Sequence, residues 1–158
     1  MKKNIANVDG KEFVKVTEDP VSRYSYNVSS LNGTDLFYLK YNSYKDPKEV
    51  DYKYNRDGSV GYFEVMSADL NTVYFETDLT GCLMGCNITE NFVKMIYGGK
   101  VVTNEGGIDQ SKLEILGKKV GFEYSKKRDE MANASNGTNT VIIQDSRPRN
   151  GFNISLGR

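Results

Sequence analysis

The sequence predicts a β-rich α+β domain: two packed, mostly antiparallel sheets forming a β-sandwich, with one or two short flanking helices. Three observations lead there. Tyrosine, phenylalanine, leucine and valine recur with a period of two in most apolar segments. Asn-Gly and Asp-Gly pairs, which supply the positive φ angles of tight turns, separate those segments. Helix signals are confined to two short stretches. The 158 residues make one domain, 1–158, long enough to bury a core without covalent staples.

In chain order, residues 23–29 alternate tyrosine with polar side chains. Residues 35–41 put Leu36 and Tyr38 on one face and Phe37, Leu39 and Tyr41 on the other. Residues 59–66 repeat the pattern, with Val60, Tyr62 and Met66 opposed to Phe63 and Val65. Strands are expected again over 72–77, 91–97, 120–124, 140–144 and 152–156. Turns fall at Asn32-Gly33, Asp57-Gly58, Gly106-Gly107 and Asn136-Gly137, with 55–59 the clearest hairpin. Ser111-Lys112-Leu113-Glu114 is a capping-box pattern that opens a short helix, which Gly117 would stop. Residues 125–134 read either as a surface helix or as a solvated charge run.

Composition narrows the function classes. The chain carries 21 basic and 21 acidic side chains, so no electrostatic argument favours nucleic acid or an anionic membrane. The basic N-terminus is not followed by an apolar core of the secretory type, and no stretch reaches membrane-spanning length. The expectation is a soluble bacterial-type protein, cytoplasmic or delivered to a host cell without a cleaved N-terminal signal. With two cysteines and no histidine, neither a metal nor another cofactor is expected. Cys82 and Cys86 would lie more than about 12 Å apart on an extended chain, too far for a disulfide, although a tight turn through Gly85 would permit one.

Cys82 is the one residue with nucleophilic promise. It follows Leu79-Thr80-Gly81 at the end of an aromatic strand. Gly81 frees the backbone for close substrate approach, and exposed amides at a strand end can stabilise an oxyanion. A thiol also needs a base or a positive neighbour to ionise near neutral pH, and the usual one, histidine, is absent from the chain. The alternative is that Cys82 is a small buried hydrophobe.

Leu79-Thr80-Gly81-Cys82 resembles the Leu-Ser-Gly-Cys signature of the cytotoxic necrotizing factor catalytic domains and the Burkholderia-type lethal factor, whose fold the bacterial chemoreceptor glutamine deamidases share. Residues 73–78 resemble the strand leading into the family's cysteine, and 91–99 the second strand that carries its histidine. The resemblance spans 72–116. It implies a β-sandwich flanked by helices, and a thiolate that attacks a glutamine carboxamide of a partner protein, releases ammonia and leaves glutamate after hydrolysis. Carried onto this chain, it makes Cys82 the nucleophile, with Leu79, Thr80 and Gly81 as the motif and oxyanion segment. Lys94 and Tyr97 occupy the places where the histidine would fall, and Glu76, Thr77 and Asp78 form a second shell in which Glu76 stands for the family's threonine. The expected function is a deamidase-like bacterial effector or toxin; the alternative is a catalytically inactive relative that binds a partner protein.

Overall fold

The computed structural model describes residues 4–79 and 87–145, with side chains described as far as Ala134. Strands β1 (Ile5–Val8), β2 (Lys11–Glu18), β3 (Tyr26–Ser30), β4 (Asp35–Lys45), β5 (Ser59–Ser67) and β6 (Val73–Thr77) form one antiparallel meander in sequence order. Helices α1 (Ile88–Gly98), α2 (Gln110–Val120) and α3 (Tyr124–Asp145) follow. The described residues are thus α+β with a single six-stranded sheet. Helices stand where the second sheet of the expected sandwich would be. None of them is long and apolar enough to cross a membrane.

The period-two pattern sets the two faces of this sheet. Val14, Val16, Val28, Phe37, Leu39, Phe63, Val65 and Phe75 share one face, as the register shows through Val16↔Val28, Val28↔Phe37, Leu39↔Val65 and Val65↔Phe75. On this face lie Phe92, Val93 and Ile96 of α1 and Leu113 and Leu116 of α2, completing one buried cluster. Phe92 meets Phe37 edge to face at 5.6 Å. Each such side chain, fully buried, contributes about 1.5–3 kcal/mol.

The opposite face carries Tyr38, Asn42, Tyr62, Glu64 and Met66, paired as Tyr38↔Met66 and Asn42↔Tyr62. The first turns of α3 cover its β5 end. Tyr124 stacks on Tyr62 at 5.2 Å and 13°, and Arg128 Nη1 donates to the Tyr62 hydroxyl at 2.9 Å. Tyr62 has no exposed surface, and burial pushes its hydroxyl pKa up. Its one polar atom is satisfied by a charged donor, as a buried polar atom requires.

Three expected strands are helical or irregular instead. Residues 91–97 belong to α1, because Phe92, Val93 and Ile96 recur at helical rather than alternating spacing. The helix start is also encoded: the Asn87 side chain accepts from Thr89 N at 2.9 Å, and Glu90 sits three residues after the cap. Residues 120–124 bridge the end of α2 and the start of α3. Residues 140–144 continue α3, consistent with the low cost of extending a helix already nucleated. The expected strand at 152–156 lies outside the described residues, and Asn136-Gly137 falls within α3 rather than in a turn.

The β1–β2 hairpin is not foreseen in the sequence pattern, and α2 departs from expectation at both ends. The β1–β2 hairpin is turned by Asp9 and Gly10 at φ +51° and +78°, both positive as a type I′ turn requires. Gly117 does not stop α2 but lies inside it, where a Cβ would meet the Phe75 ring at 3.1 Å, so glycine lets helix and sheet approach. The helix begins two residues earlier than the capping box suggests, with Asp109 rather than Ser111 as its cap, accepting from Lys112 N.

The β4–β5 connection is longer than a simple hairpin. Asp46, 1% exposed, caps the short 3-10 turn Pro47–Glu49 by accepting from Lys48 N at 2.9 Å. Its Oδ2 makes no directed hydrogen bond and is instead ion-paired with Lys127 Nζ of α3 at 3.0 Å. The connection closes at Gly58, whose φ is +65° and where a Cβ would sit 2.5 Å from the Asp46 carbonyl oxygen.

Gly58→Ala therefore combines a left-handed backbone with a backbone clash, and should cost about 2 kcal/mol in urea unfolding; a change within a few tenths would mean the connection relaxes freely. The Lys48 amide first, then the Lys127 ammonium, hold the Asp46 carboxyl below the ordinary carboxylate range. A depressed folded-state pKa stabilises the fold above the unfolded value of about 3.9 and loses that stabilisation as pH falls through the folded value. The melting-temperature gap between the wild type and Asp46→Asn should be widest near neutral pH and shrink below about pH 4.

Candidate functional site

The expected site is centred on the junction between β6 and α1. Thr80, Gly81 and Cys82 lie outside the described residues, as does Cys86. Leu79 marks the near side of the junction. It is 1% exposed within the sheet–helix core, and its carbonyl oxygen accepts from Asn91 Nδ2 of α1 at 2.7 Å. Asn87, the α1 cap, marks the far side. The seven residues 80–86 are thus entered and left through anchored backbone, and Asn91 ties the two sides together.

The expected helper residues do not share a face. Glu76 pairs with Glu64 on the α3 side of the sheet. Its Oε1 accepts from Ser125 N at 2.7 Å and its carbonyl accepts from Phe122 N at 2.9 Å. A carboxylate at the start of α3 satisfies an amide that the helix cannot and complements the helix dipole. Thr77, one residue on, points the opposite way. It is buried, and its hydroxyl donates to the Val120 carbonyl at 3.1 Å, fastening β6 to the end of α2. Asp78 is exposed, and its negative charge adds to the burial that raises the Tyr124 hydroxyl pKa, which places it toward α3.

Lys94 and Tyr97 are one helical turn apart on α1. Tyr97 is directed at the β1–β2 hairpin: its hydroxyl donates to Asp9 Oδ2 at 3.1 Å and its ring meets Phe13 edge to face at 5.2 Å. The Asp9 carboxylate raises the Tyr97 pKa above its ordinary value, which makes the phenol a still weaker acid near neutral pH. Lys94 is exposed and makes no ion pair among the described residues. The structure therefore brings Leu79 and Asn91 together, commits Tyr97, Glu76 and Thr77 to bonds within the fold, and leaves Lys94 open to solvent.

Asn91 is the residue that sequence reasoning missed. Reading 91–97 as a strand concealed that a helix cap at Asn87 turns Asn91 back toward Leu79. No cluster of three or more potential metal ligands occurs among the described residues. No family model, curated protein or solved structure matches the chain.

Asn91→Ala leaves the Leu79 carbonyl without its side-chain donor. A loss of about 1 kcal/mol in chemical denaturation is expected, and an unchanged midpoint would mean that water replaces the amide without cost.

Proposed function

We propose that this chain acts by binding a partner protein, as the catalytically inactive alternative to a glutamine deamidase. The observation that carries the reading is the fate of the expected helpers. Glu76 caps α3, Thr77 fastens β6 to α2, and Tyr97 is held by Asp9. Side chains spent on holding elements together are poorly placed to shuttle protons, and the chain has no histidine to take their role. The reading requires the sheet and helices described here and not a two-sheet sandwich.

A second reading, the deamidase-like effector, draws support from the anchored junction. Leu79 and Asn87 bracket the segment that carries Cys82, and Lys94 lies on the helix that follows. A lysine ammonium near a thiol lowers its pKa, and the thiolate would attack the glutamine carboxamide with loss of ammonia.

Alkylation of Cys82 by iodoacetamide across pH, in a Cys86→Ser background, separates the two. The binding reading expects an apparent pKa near about 8.5, that of an ordinary thiol. A value of about 7 or below, lost on Lys94→Gln, would replace it with the deamidase reading.

A further inference from the structure

We propose that the groove between α1 and α2 docks an acidic segment of a partner protein, one that carries aliphatic side chains along one face. The inference rests on the binding reading and names the chemistry of the partner.

The groove encloses about 740 Å³. Its floor is apolar, built by Met95 of α1 and Ile115, Leu116 and Val120 of α2. Ile115 is 65% exposed there. Four lysines border this floor: Lys94, Lys100, Lys112 and Lys119. No aspartate or glutamate lines it. Lys112 has a neighbour in Asp109 at 3.7 Å, while Lys94, Lys100 and Lys119 have no acidic partner within 4 Å among the described residues. In a chain whose charges balance at 21 and 21, this is a local concentration of one sign around an apolar strip.

The backbone helps to place the rim. Gly98 and Gly99 end α1, and Lys100 follows at φ +53° with its amide donating to the Tyr97 carbonyl at 3.0 Å. The chain reverses there, so Lys100 stands at one end of the groove. Asn91, which lines the groove too, holds Leu79. The groove is thereby linked through Asn91 to Leu79 at the end of β6.

Charge complementarity selects the occupant. The segments outside the described residues, 1–3, 80–86 and 146–158, contain no acidic residue. None of these segments supplies the acidic complement, and the occupant proposed is a partner protein. A concave strip between two helices suits an amphipathic segment better than a flat bilayer. Apolar anchors would bury Ile115 and Met95, and carboxylates would meet the lysines at the rim, adding association rate and specificity.

The test uses the full chain and a fluorescein-labelled peptide of Glu, Asp and Leu in an amphipathic helical pattern, followed by anisotropy. The Lys100→Asn/Lys119→Gln double variant should weaken binding about tenfold, as should raising NaCl from about 50 to about 300 mM. Ile115→Ser should weaken it about fivefold, and Lys53→Gln, on the β4–β5 connection, should leave it unchanged. Circular dichroism confirms that each variant is folded. Absence of binding, equal binding by the double variant, or retention on phosphatidylserine vesicles in preference to the peptide would overturn the proposal. So would a concentration-dependent dimer that the peptide cannot displace. None of these readouts involves Cys82, so a low thiol pKa would overturn the binding reading above without deciding whether the groove binds.

Discussion

Tyr62 and Phe63 are neighbours on β5, neither with exposed surface, and they point to opposite faces of the sheet. A strand buried on both sides demands a layer above and a layer below. Phe63 is covered from the side where α1 and α2 lie, and Tyr62 by the first turns of α3. The second cover is chemically the more demanding, because the phenol must be stacked and its hydroxyl given a donor at once. Arg128 and Tyr124 do both, and Lys127 adds the ion pair to Asp46 from the same helix. The position of α3, the closure of the β4–β5 connection and the commitment of Glu76 as its cap all follow from that burial.

The same constraint accounts for the scattering of the expected helpers. Successive residues of β6 face opposite layers, so Glu76 and Thr77 cannot serve one site. Each became the fastener of the helix it faces. α1 then leaves the junction on the far side of the sheet from Glu76, with its cap at Asn87 and its tie to Leu79 through Asn91. Among the described residues on that side, a lysine-bordered apolar groove lies between α1 and α2.

How much of this was legible depended on which period dominated each segment. β4 and β5 alternate cleanly from Phe37 to Tyr41 and from Val60 to Met66, as the sequence pattern indicates, whereas Leu36, expected on the Tyr38 face, packs in the core with Phe37 and Leu39 beside the register shift between β3 and β4. The segment around Phe92 misled because its aromatic and β-branched residues look strand-like, while the decisive signals, the Asn87 cap and the Phe92–Ile96 spacing, lie partly upstream. The first hairpin was encoded by Asp9-Gly10 and by Val14 and Val16, but the charged residues interleaved with them hid the alternation. The long reach of α3 was not readable, since β-branched residues near its end disfavour helix locally and extension of an existing helix overrides them. At the site, Cys82 could be singled out from sequence, but the partners of Glu76, Thr77 and Tyr97 depend on contacts 43 to 88 residues away along the chain.

The central claim is that the helical face, and not a thiol centre, is where this chain meets its partner. Amide chemical-shift mapping of the labelled chain, titrated with the acidic amphipathic peptide, tests it most directly. The account predicts the largest shifts at Lys94, Gly99, Lys100, Ile115 and Lys119, with those of β4 and β5 nearly still. Shifts confined to residues 80–86, or spread evenly over the surface, would contradict it.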